Sequence, residues 1–212
     1  MALKSHALTI ANAVQIELDL PQGPSDYFDG LVNFYSEAIE KYCNRHFEYN
    51  AAVTENLDAS GARYLVLSRT PVASITSVSF DGAALDATGY ELHDAEAGTV
   101  YLKMARWSTV QTENASLEPV PGEERALWTV VYAGGYTLPK DSYPNYTLPS
   151  DLERACVLAC VAAYRNRNVD PRITSEELLS YSVSYADTKE GFPSLPKDSI
   201  DLLSRYVRPV FA

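Results

Sequence analysis

The chain has little of what chemistry needs. It has no glycine-rich phosphate loop, no His-Glu-x-x-His, no Cys-x-x-Cys and no Gly-x-Ser-x-Gly elbow, so the commonest nucleotide, zinc and acyl-transfer signatures are missing. There are only 3 cysteines and 3 histidines. Cys156 and Cys160 stand four apart inside an apolar helical run and Cys43 in another, a pattern read as plain burial, with no disulfide framework or zinc site. His6, His46 and His93 are scattered over a chain end, a helix terminus and a strand. His93 and Asp94 are neighbours on an extended segment and point to opposite faces, so they do not form an acid–base pair. Basic side chains number 17 against 28 acidic ones, a net charge of -11, and no block of lysine or arginine is present; such a chain does not grip a phosphate backbone. The longest uncharged apolar stretch, Ala155 to Tyr164, is about half of the roughly 20 residues that a bilayer span needs. The first residues carry no sustained apolar core, which predicts a protein that is not exported and gives the sequons at Asn114 and Asn145 no meaning.

The carboxylate pairs have structural explanations. Asp151 and Glu153 fall at a helix start, Glu123 and Glu124 in a loop, and Glu176 and Glu177 at a possible cap of a further helix or turn. No nucleophile has a base beside it. No catalytic residue, cofactor or metal ligand is assigned.

What is present is patterned apolar sequence and 15 tyrosines, a residue that fills β-sheet faces and also interfaces. Thr9 to about Glu17 suits a short helix, stopped by Pro21, Gly23 and Pro24. Ser25 then caps a helix to about His46, with Phe28, Leu31, Val32, Tyr35, Ile39 and Tyr42 at helical spacing, acids in the first turn and bases in the last. From about Tyr49 the period changes to 2. Val53 to Leu57, Tyr64 to Ser68, Ala73 to Phe80, Tyr90 to His93, Thr99 to Met104 and Ala126 to Tyr132 read as strands of an antiparallel β-domain, with Asp81-Gly82 as its best hairpin turn. The polar stretch from Thr109 to Glu124 is read as an exposed loop.

The strand Trp128-Thr-Val-Val-Tyr-Ala-Gly-Gly-Tyr136 ends on two glycines, and Ser150 with Glu153 reads as a capping box at the head of an apolar helix. That helix is apolar all round: Leu152, Ala155, Cys156, Ala159, Cys160 and Ala163 form one stripe, and Val157, Leu158, Val161 and Ala162 cover the other side. Either it is the central helix of the core, or its second face packs on a neighbouring subunit, through Val157, Leu158 and Val161. Tyr181, Val183 and Tyr185 alternate strictly, as an extended arm does. Asp198 to Tyr206 reads as a short helix before the apolar tail Arg208-Pro-Val-Phe-Ala212.

Five pieces in order carry a resemblance: Ala38-Ile-Glu-Lys-Tyr-Cys-Asn-Arg-His-Phe47, Leu65-Val-Leu-Ser-Arg-Thr-Pro-Val-Ala-Ser-Ile-Thr-Ser-Val78, Val130-Val-Tyr-Ala-Gly-Gly-Tyr136, Leu148-Pro-Ser-Asp-Leu-Glu-Arg-Ala155 and Ser180-Tyr-Ser-Val-Ser-Tyr185. From about residue 8 to 208 the chain resembles the head-to-tail connector, or adaptor (head completion), proteins of tailed bacteriophages. The resemblance implies an α+β fold, with a helical body (a long N-terminal helix plus the apolar helix at about 150–167) over 1–48 and 148–212. An inserted antiparallel β-domain occupies 49–147, and an extended arm lies towards the C-terminus. It further implies a non-enzymatic virion protein, made in the bacterial cytoplasm and placed in the neck between capsid and tail. About twelve copies would form a ring that binds the portal protein and the next neck or tail protein and continues the DNA channel without specific DNA binding and without a membrane. Arg205, Arg208, Val210 and Phe211 would dock on the portal. The other readings are a different neck or tail-completion protein of the same fold class, and a small ligand-binding domain or enzyme with a site built from remote residues such as His93, Glu91 and Arg106.

Overall fold

A computed structural model describes residues 2–57, 63–103, 128–167 and 195–208 in full, and the backbone of 175–178 and 181–184. The fold is α+β, of helices and antiparallel sheets. It divides into two compact units, one of residues 1–45 with 138–212 and the other of 46–137.

Among the described residues the second unit has seven strands: β1 (Asn50–Leu57), β2 (Tyr64–Val66), β3 (Val72–Phe80), β4 (Ala83–Ala84), β5 (Tyr90–Asp94), β6 (Thr99–Leu102) and β7 (Trp128–Gly134). They form a sheet of order β1-β7-β3-β4 and a three-stranded sheet of order β2-β6-β5, antiparallel throughout. The alternation read from the sequence is the reason. Trp128, Val130 and Tyr132 on β7 are buried while Thr129 and Val131 between them are partly exposed, as a period of two requires of a sheet with one covered face. Leu65, Val100 and Leu102 of the smaller sheet join Val78, Val130 and Tyr132 of the larger in one core. Asp81 (φ 45°) and Gly82 (φ 80°) make the turn between β3 and β4; two left-handed central residues match the twist of the flanking strands, as expected of an Asp-Gly pair.

Where β7 ends, glycine is required by space. A Cβ on Gly135, whose φ is +102°, would lie 2.3 Å from the Glu48 carbonyl oxygen, and one on Gly134 would lie 2.7 Å from that of Arg69. This close approach lets Tyr136 N–H donate to the Phe47 carbonyl (2.7 Å), Tyr49 N–H to that of Tyr136 (2.8 Å) and Gly135 N–H to that of Pro71 (2.9 Å). A half-buried polar knot lies beside it. Glu55 accepts from the Ser68 amide and hydroxyl, both at 2.9 Å, and from the Tyr132 hydroxyl at 2.7 Å, while that hydroxyl accepts from the Arg69 amide at 3.0 Å. Burial and the bond to Glu55 push the Tyr132 phenol up to about 12.

The first unit holds helices α1 (Ala11–Glu17), α2 (Asp26–Cys43), a single turn α3 (Pro139–Ser142), α4 (Ser150–Asn166) and α5 (Lys197–Leu203), which continues as a 3-10 turn to Tyr206. Strands β8 (Ser175–Leu178) and β9 (Tyr181–Ser184) pair with each other. The Glu176–Glu177 cap expected from the sequence is therefore absent: both residues lie in β8, paired with Val183 and Ser182. Asn44 (φ 51°) ends α2 in the left-handed cap that asparagine tolerates, and Arg45 N–H returns to the Glu40 carbonyl. His46 thus lies beyond the helix that the sequence seemed to carry through it.

The capping box at the head of α4 is also absent. Pro149 is the N-cap, Ser150 is already helical and no side chain caps the end; the Pro149 carbonyl takes the Leu152 and Glu153 amides. Glu153 is drawn elsewhere, accepting from the Tyr146 hydroxyl at 2.5 Å and from Thr9 Oγ1 at 3.3 Å. That bond pushes the Tyr146 phenol up to about 12.

Candidate functional site

The candidate surfaces belong to the first unit and start from α4. Helix α4 packs against α1, α2 and α5. Leu152, Ala155, Cys156, Ala159 and Cys160 are wholly buried, and Val157 and Val161 on the other side keep only 6% and 5% of their surface. Its second face is covered by its own unit, which makes α4 a central core helix. Leu158 is half-buried, so of Val157, Leu158 and Val161 it alone offers area to a neighbour. The cover is fixed by polar contacts that the sequence did not announce. Ser199 on α5, fully buried, donates to the Ala155 carbonyl at 2.9 Å, and the Ser36 hydroxyl on α2 meets the Cys156 sulfur at 3.6 Å.

All three cysteines are buried and unbridged. Burial pushes the Cys43 thiol up to about 12, and the Cys156 contact together with burial raises that of Cys160 well above the usual range. Cys43 and Cys160 are thereby kept as thiols at neutral pH, and all three cysteines pack as small apolar side chains.

The C-terminal docking residues are placed in part. Arg205 is exposed and pairs with Asp151 at the head of α4 (3.1 Å). The Arg208 amide donates to the Cys43 carbonyl at the end of α2 (2.9 Å), which ties the strand leaving α5 to the α2 terminus. Val210 and Phe211 lie outside the described residues.

The alternative site does not converge. His93 lies against the rings of Tyr64 (5.2 Å) and Tyr101 (6.5 Å), Glu91 pairs with Lys103 (3.3 Å), and Asp94 closes its own turn by accepting from the Glu96 and Ala97 amides (2.9 and 3.0 Å). Arg106 lies outside the described residues. Among the described residues no group of three or more His, Cys, Asp or Glu gathers in a way that could hold a metal ion. None of the described helices is long and apolar enough to cross a membrane.

One surface went unnoticed in the sequence. Tyr27 and Phe34 on α2 are 48% and 52% exposed, and Leu31 between them is half-buried. These positions follow i, i+4, i+7 and form a second apolar stripe, beside the buried one of Phe28, Val32 and Ile39. Tyr164 of α4 stands at its end, 6.2 Å from the Tyr27 ring, with the Arg167 guanidinium 3.7 Å over its face. The signal was available: Tyr27 and Phe34 are large aromatics seven apart that the inward stripe does not use.

No family model and no curated protein matches the sequence. In fold, the chain is similar to one in the neck of an empty gene transfer agent particle computed with C6 symmetry: 16% identity, 100% of this chain and 95% of that one covered, TM-score 0.55. It is similar also to a chain in the neck of the native particle computed with C12 symmetry, at 14% identity with 100% and 98% covered and a TM-score of 0.50. A third likeness is to a chain of the native gene transfer agent virion, at 15% identity with 100% and 95% covered and a TM-score of 0.52. Across its whole length the chain thus has the fold of neck and virion chains of this phage-like particle.

Proposed function

We propose that this protein is a structural, non-enzymatic component of the neck of a phage-like particle. About twelve copies form a ring that joins the capsid portal to the tail or to the next neck protein and continues the DNA channel. The observation that carries the reading is the end-to-end likeness in fold to neck chains, over 100% of this chain and 95% and 98% of theirs. Charge supports it: at a net -11 the chain has little to hold passing phosphates, and each added cationic contact would slow DNA in transit. A central helix whose thiols are buried, and a second apolar stripe on α2, fit a building block better than a reaction vessel.

In this reading Leu158 contributes to the lateral contact between copies, while Val157 and Val161 hold the subunit together. The tail from Arg205 onward docks on the portal, through Arg205, Arg208, Val210 and Phe211. The test is negative-stain imaging of the purified chain mixed with the portal protein of its own particle. A ring capping the portal is expected, and free portal beside free monomer would refute the reading. The purified chain alone is expected to be monomeric, since a ring component can assemble on its template only. Cutting after Tyr206 should leave a folded protein that no longer joins the portal, and normal attachment by the shortened chain would remove the tail's docking role.

A further inference from the structure

We draw no further inference here: the strongest candidate, the outward stripe of Tyr27, Leu31 and Phe34 on α2, is an apolar patch on a helix face, and nothing in the structure shows what covers it.

Discussion

The two units solve the problem of covering apolar surface in different ways. In the β-unit each strand has one inward and one outward side, both sheets contribute to a single core, and the polar groups that must be buried are gathered at Glu55, where three donors meet one carboxylate oxygen. In the helical unit, α4 is covered on both sides by its own chain, yet α2 keeps a second stripe with Tyr27 and Phe34 about half exposed. The sheet unit gathers its apolar residues into one core, while Tyr49, Tyr64 and Val66 stay exposed outside it. The contrast teaches where assembly falls: a unit that closes its core can serve as a rigid block, and a unit with surfaces to spare can join blocks together.

The largest effect expected tests how tightly the β-unit is closed. Gly135→Val sets a branched side chain at a φ of +102° and against the Glu48 carbonyl, and should destabilise the protein by more than about 4 kcal/mol or leave it unfolded. Urea unfolding followed by circular dichroism measures it, and a loss below about 1 kcal/mol would show that the β7 end can move aside. Next comes α4. Val157→Asp buries an unpaired carboxylate inside the helical unit and should cost about 3–5 kcal/mol. A folded, stable variant that merely fails to form rings would show instead that this face of α4 meets a neighbour.

Tyr132→Phe is a smaller change in the knot at Glu55. It removes one donor from the carboxylate and one acceptor from the Arg69 amide, at a cost of about 1–3 kcal/mol near neutral pH. It also has a pH signature. The folded-state phenol titrates at about 12, above its ordinary value of 10.0, so the neutral form is favoured by folding. The associated stability is fully present below pH 10 and is lost as pH rises from there towards 12. Wild type should therefore weaken steeply across that interval and Tyr132→Phe less so; equal alkaline slopes in urea titrations would contradict the assignment. The smallest effect is at the surface of the helical unit. Arg154 holds Glu17 by two bonds of 2.7 and 2.9 Å, and the guanidinium keeps the Glu17 carboxyl below its usual range. The pair is exposed, so Arg154→Ala should change the melting temperature by no more than a degree or two, less in high salt.

The sequence shows the β-unit more plainly than the helical one because sheet information is local. A strand such as β7 carries its own alternation, and Asp81-Gly82 carries its own turn. The start of α4 shows the reverse. Ser150 and Glu153 have the spacing of a capping box, but Glu153 is claimed by Tyr146 and Thr9, one of them far away in sequence, and Pro149 takes the cap. How α4 is covered depends on elements remote in sequence, and the Ser199 anchor of α5 to Ala155 is invisible in any pattern. The stripe on α2 was hidden differently. Leu31 fits the inward spacing as well as the outward one, so it was counted with Phe28 and Val32 when its partners are Tyr27 and Phe34. Helical periodicity ranks faces but does not say how many of them the chain itself will cover.

The bond from the Arg208 amide to the Cys43 carbonyl fixes the origin of a tether. Val210 and Phe211 stand two and three residues beyond Arg208, and an extended chain spans at most about 3.6 Å per residue, so the Phe211 Cα can travel no farther than about 11 Å from that anchor. Any partner of Val210 or Phe211 must therefore come to within that radius of the C-terminal end of α2. If the proposed docking on a portal holds, the same short leash would keep that partner at a set distance from this helix, and lengthening the leash by a few glycines would loosen the joint without removing a single contact.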